Sequence, residues 1–387
     1  IIAQDYGAGR IQRIRDHLPQ TLWVSVFLSL IVAPLCYYSH LGLPWLGIDE
    51  LTAEKSSEYI KMVAFGFPAI GIFMALRYQM QGVGITSPFA VASVIGFIAN
   101  IPLNYLFIFG FGDMPAMGAQ GCGIATAISM WLSALIITLY VLTKKSLQQY
   151  LPPLTPVAPD PTTIKEILAI GAPVGATFFL ETAVFAGIAL LVSSLGDVAI
   201  GAHQIAFNVW DMFYIPMLAI GSSMATRMGH ALGAQDQQGV FMALKAGILC
   251  SGVISVTTMI ILLSFPTAIV GIYSDSPDMS LLAVRLLSFA ALFVIIDAVQ
   301  IVGSFSMRAY KKTRFPFIAS MVAYWLIALP LGYYLGIMNA DNAFDGAAGF
   351  WVGIIVGVTV ASVMIAVRLV LLLRQPIPTG FTPDYDL

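Results

Sequence analysis

The chain has 387 residues, 59% of them hydrophobic and only 10% charged, with 34 glycines and a formal net charge of −2. Such a composition belongs to polytopic helical membrane proteins and excludes a soluble domain, and a near-zero balance without a large basic cluster excludes a nucleic-acid partner. The three cysteines, Cys36, Cys122 and Cys250, stand in or beside apolar runs at unrelated spacings, so neither a disulfide framework nor a zinc site follows and they read as packing residues.

About 20 apolar residues cross the hydrocarbon core of a bilayer. In chain order, runs of that length occupy 18–38, 59–80, 88–110, 118–143, 167–195, 198–224, 240–265, 280–307, 315–337 and 346–373, which predicts ten complete spans. Residues 1–6 then read as the end of an earlier one. The connections alternate in charge. Arg10, Arg13 and Arg15, then Lys144, Lys145 and Lys165, then Arg308, Lys311, Lys312 and Arg314, and finally Arg374 fall on one side. Asp49, Glu50, Glu54, Glu58, Asp113, Asp275, Asp278, Asp341 and Asp345 fall on the other. Because Lys and Arg mark cytoplasmic loops, the carboxy terminus is expected inside the cell.

Five prolines between 148 and 163 (Pro152, Pro153, Pro156, Pro159 and Pro161) forbid a membrane helix there and predict an extended linker. It divides the chain into an N-terminal lobe, 1–147, and a C-terminal lobe, 164–387. The lobes repeat one another. Tyr6-Gly7-Ala8-Gly9 aligns with Leu232-Gly233-Ala234-Gln235 at an offset of 226 (233 minus 7), and Pro102-Leu103-Asn104-Tyr105 with Pro330-Leu331-Gly332-Tyr333 at 228 (330 minus 102). Residues 81–86 likewise lie opposite 308–313. Repeats of one orientation are a transporter pattern. The expected fold is therefore an all-α polytopic membrane protein of two pseudo-symmetric, six-helix lobes. By the same offset the first lobe lacks about two helices, as in an amino-terminal truncation of a twelve-span protein.

Three acids stand where water should be absent: Glu181, Asp211 and Asp297, each near the middle of its run. An acid at the bilayer centre costs about 2.5 to 3.5 kcal/mol on insertion scales, so each is a candidate for ion coupling. Gln204, Asn208, Asp211 and Ser222 share one helical stripe, and Asp297, Gln300, Ser304 and Arg308 another. Asn100 and Asn104 stack on one face of a span in the first lobe. For the amides the alternative is a polar seam that joins helices. The sequence has no Gly-x-x-x-x-Gly-Lys-Ser/Thr phosphate loop, no His-Glu-x-x-His and no nucleophile elbow, so an enzyme is not expected.

Several stretches resemble the multidrug and toxic compound extrusion (MATE) family in its bacterial NorM-like branch: Asn100-Ile101-Pro102-Leu103-Asn104, Ala202-His203-Gln204 with Asn208, Gly229-His230-Ala231-Leu232-Gly233, Asp297-Ala298-Val299-Gln300 and Arg308-Ala309-Tyr310-Lys311. The resemblance implies two six-helix lobes around a central cavity. It implies export of small cationic drugs in exchange for Na+ or H+, with Glu181 at the family's carboxylate on the seventh helix and Asp297 at that on the tenth. Both are then possible Na+ ligands. Asn100 and Asn104 match a polar pair on the fifth helix. Phe293 stands where some relatives have Tyr, and Asp211 at a position not generally acidic.

The expectation is thus an inner-membrane, multi-pass antiporter, monomeric and without a cofactor beyond the coupling ion, working by alternating access. Phe178, Phe179, Phe207, Trp210, Met212 and Phe213 are candidates for a drug-binding wall. The other readings are a lipid-linked oligosaccharide flippase, which would want a basic cavity, and a non-transporting membrane scaffold, which would tolerate loss of the acids.

Overall fold

The computed structural model describes residues 1–41, 50–112, 115–152 and 157–377. Asp49, Asp113, Pro153, Pro156 and the end of the C-terminal lobe beyond 377 lie outside the described residues. Among those described, the regular elements are helices, and ten are long and apolar enough to cross a membrane. The chain forms two compact units, Ile1–Ile167 and Leu168–Leu387.

In the first unit a short helix α1 (Ile2–Gly7) precedes α2 (Ile11–Tyr37), then α3 (Glu50–Val63) and α4 (Phe67–Gly82), joined by one 3-10 turn into a single span, α5 (Ser87–Phe109) and α6 (Gly118–Thr143). Their buried core runs through Leu18, Phe73, Leu76, Met80, Ile137 and Val141. One end carries most of the polarity. Asp5 is only 2% exposed and pairs with Arg10 at 2.9 Å, Arg13 at 3.5 Å and His17 at 3.8 Å, while Arg13 also reaches Glu166 at 3.1 Å. An acid so buried requires such partners.

The proline-rich stretch belongs to this unit. Lys145–Tyr150 forms a 3-10 turn, and the carbonyls of Ala158 and Val157 accept hydrogen bonds from Gln20 and Trp23 of α2 at 3.1 and 2.9 Å. Helix α7 begins at Pro161 because Asp160 caps it. The carboxylate accepts hydrogen bonds from the Thr162 and Thr163 amides, both at 3.1 Å, and from the Thr163 hydroxyl, and these bonds hold its pKa below the usual carboxylate range.

The second unit contains most of α7 (Pro161–Ser193), then α8 (Asp197–Gly233), α9 (Gln237–Ser264), the short α10 (Pro266–Val270), α11 (Pro277–Ala309), a span formed by α12 (Arg314–Ser320) and α13 (Leu329–Tyr333) with π-helical turns between and after them, and α14 (Ala343–Leu373). Helix α11 is its axis. Leu286, Leu287, Ala290, Phe293 and Val294 are almost wholly buried against α8, α9 and α14. The π-helical stretch Met321–Ala328 lies just before Pro330, whose ring cannot accept the carbonyl four residues back in a regular α-helix. Glycines of α14 let it approach closely: a Cβ on Gly353 would lie 2.6 Å from the Ala328 carbonyl oxygen.

The paired sequences make matching turns, one in each unit. Gly9 (φ 70°) and Gln235 (φ 59°) are both left-handed, and the amide that follows each, Arg10 or Asp236, donates to a carbonyl five residues back at 2.8 Å. Gly84 (φ 81°) and Lys311 (φ 59°) form a second such pair, in which the Ile85 and Lys312 amides each reach five residues back at 2.9 Å. Both are helix ends closed by the same backbone device. The spacings, 226 (235 minus 9) and 227 (311 minus 84), agree with the offset of the sequence repeat.

Candidate functional site

A cavity of about 420 Å³ lies within the second unit, walled by α7, α8, α11 and the π-helical turn after α12. Glu181 of α7, Gln204 and Asp211 of α8, and Asp297, Gln300 and Ser304 of α11 all line it. It therefore gathers the three intramembrane acids and two of the candidate amides. Asn208 is exposed on the same stripe of α8 but is not part of the wall.

The acids sit in different surroundings. Glu181 Oε1 accepts hydrogen bonds from Gln300 Nε2 at 3.4 Å and from the Ser320 hydroxyl at 3.2 Å, and Gln300 Oε1 in turn accepts one from the Tyr324 hydroxyl at 3.2 Å. This chain joins three spans through groups that are mostly buried. Asp297 is 4% exposed. It faces Trp210 and feels the charge of Glu181, but its Oδ2 and the indole Nε1 fall outside hydrogen-bond geometry. Asp211 is exposed in the wall. Arg308, in the last turn of α11, lies over the rings of Phe305 at 4.3 Å and Phe178 at 5.0 Å, and its charge acts on Glu181.

The apolar wall is aromatic, with Trp210 at its centre. Its ring lies 4.8 Å from Tyr214, 5.2 Å from Phe207, 5.3 Å from Phe293 and 5.4 Å from Phe185. Of the wall candidates, Phe178, Phe207 and Trp210 line the cavity. Phe179 and Met212, 71% and 68% exposed, and Phe213, packed beside the core, do not. The ring at position 293 is buried in the aromatic cluster, and the phenol of the polar chain comes instead from Tyr324, which sequence reasoning missed along with Ser320.

Asn100 and Asn104 belong to the first unit and bond to each other. Asn104 Nδ2 donates to Asn100 Oδ1 at 2.7 Å, and Asn100 Nδ2 donates to the Ser129 hydroxyl at 3.1 Å, so the pair ties α5 to α6. Among the described residues no group of three or more His, Cys, Asp or Glu side chains is placed to hold a metal ion. Glu181 and Asp297 with the Gln300, Ser320 and Tyr324 oxygens form an oxygen-rich set of the type hard cations use.

The profile of the MatE family matches residues 1–106 and 173–334. The multidrug resistance protein MdtK of Edwardsiella ictaluri is 36% identical over 377 residues, spanning 97% of this chain and 82% of the relative. The multidrug resistance protein NorM of Photobacterium profundum is 34% identical over 369 residues, 95% of this chain and 81% of the relative. Among solved structures, the eukaryotic MATE transporter AtDTX14 superposes with a TM-score of 0.86 at 20% identity, covering 96% of this chain and 81% of that one.

Proposed function

The chain belongs to the MATE family, in its bacterial NorM-like branch, and on that premise we propose that it is a multi-pass inner-membrane antiporter that exports cationic amphiphilic drugs in exchange for sodium ions or protons. The observation that carries the reading is the bonded chain Tyr324–Gln300–Glu181–Ser320 beside Asp297 in one aromatic-walled cavity. Buried carboxylates bonded to neutral partners change their occupancy when a proton or a sodium ion arrives. The organic cation competes for the same negative charge, so ion and drug exclude one another.

Alternating access then requires the ion to bind the two orientations of the protein unequally. The membrane potential supplies about 2.3 kcal/mol per charge per 100 mV, and the ion gradient adds to it. The cavity holds three acids and one arginine, which disfavours a lipid-linked, anionic cargo as a flippase would carry.

Ethidium efflux from cells expressing the protein tests the reading, with Glu181→Gln and Asp297→Asn beside it, in buffers with and without sodium. Efflux is expected from the unaltered protein and lost in both variants at equal expression, and the buffer comparison identifies the ion. Full efflux from both variants would sink the ion-site assignment. No efflux from the unaltered protein would remove the drug exporter.

A further inference from the structure

The three acids of the cavity do not form one group. Glu181 is engaged by Gln300 and Ser320, and Asp297 is enclosed at 4% exposure. Asp211 makes no hydrogen bond or ion pair with any described residue. It stands in the wall of the cavity, exposed, one residue beyond Trp210 and three before Tyr214, whose rings are 4.8 Å apart. A carboxylate in a 37-residue membrane helix is costly, and among the described residues none hydrogen-bonds or ion-pairs with it. A bound cation would offset that cost.

We propose that Asp211 is the residue that reads the charge of the transported compound, while Glu181 and Asp297 serve the coupling ion; the inference rests on the exporter reading above. An aromatic cation laid against the half-buried rings of Phe207 and Tyr214 brings its positive nitrogen to the exposed carboxylate without displacing the buried chain. The flat rings supply affinity for any aromatic amphiphile, and Asp211 adds preference for the charged one. Asp297, enclosed and with its Oδ2 unbonded, lines the same cavity, so ion and drug exclude one another through the cavity's shared charge while engaging different carboxylates. On this assignment the recognition of drug charge and the response to the ion are separable by mutation.

Fluorescence binding to the purified protein tests it with three probes: ethidium, with one positive charge; propidium, the same ring system with two; and Nile red, uncharged. Asp211→Asn is expected to weaken ethidium binding about tenfold, the size of one partly hydrated charge contact, and propidium binding by more. Nile red binding stays within about twofold, and the ethidium binding that remains keeps its wild-type response to sodium or pH. Asp211→Glu restores most of the loss.

If Asp211→Asn instead abolishes the sodium or pH response and leaves the three affinities in their wild-type ratio, Asp211 belongs to the ion site and the proposal falls. Equal loss for all three probes, with no rescue by Glu, assigns a structural role and also overturns it. Failure of the unaltered protein to bind ethidium or propidium would remove the exporter reading and this inference with it, whereas wild-type binding by Asp211→Asn removes this inference alone.

Discussion

At the scale of the residue, the candidate site is a question of which polar atoms find partners. Gln300 is 4% exposed and uses both ends of its amide, accepting from Tyr324 and donating to Glu181. Tyr324→Phe deletes the donor and leaves a buried carbonyl oxygen unsatisfied, which costs about 1 to 3 kcal/mol. The variant is expected to melt at lower temperature in detergent and to lose several-fold in efflux. Ser320→Ala removes one of two donors to Glu181 and is expected to cost less, about 1 kcal/mol. A Tyr324→Phe protein with wild-type melting and efflux would show that the phenol is not part of the working chain. The acids and Gln300 were legible in the sequence because charge and amide in an apolar run are conspicuous. Tyr324 and Ser320 were not: their residue types are ordinary in membrane helices, and Ser320 meets Glu181 across 139 residues of sequence.

At the scale of the element, the hydrophobic runs located every span, but the helices extend past them, as α8 does to Gly233. Helix ends are set by caps and left-handed turns rather than by hydropathy. The sequence repeat was visible as short matches, and its physical content is a shared turn geometry. Gly9 and Gln235 occupy the same left-handed position, and only one of them is glycine. A Cβ on Gly9 would meet nothing within 4 Å, so Gly9→Ala isolates the conformational penalty, roughly 1 to 2 kcal/mol. The variant is expected to melt lower with efflux kinetics otherwise normal, and an unchanged midpoint would mean that the turn between α1 and α2 relaxes freely. The π-helical stretch carrying Tyr324 was not legible, because a 3.6-residue reading has no place for a wider turn and Pro330 alone does not say on which side the widening falls.

At the scale of the whole molecule, the remaining expectation is orientation, which ten alternating spans reduce to one choice. Lys and Arg resist translocation, so the loop ends that carry Arg10, Arg13, Lys144, Lys145, Lys311 and Lys312 are expected in the cytoplasm. The first unit strengthens the argument, since the ion-paired end of α1 and α2, built from Asp5, Arg10 and Arg13, is the end where Arg13 reaches Glu166 at the start of α7. Opposite polarity would carry that whole cluster across the bilayer. Single cysteines test the choice, placed in a protein whose Cys36, Cys122 and Cys250 have been replaced by serine. Lys145 and Asp275 are both exposed and lie in connections of opposite charge. In intact cells a membrane-impermeant maleimide is expected to label Asp275→Cys and to leave Lys145→Cys unlabelled until the membrane is opened. The reverse pattern would turn the molecule over.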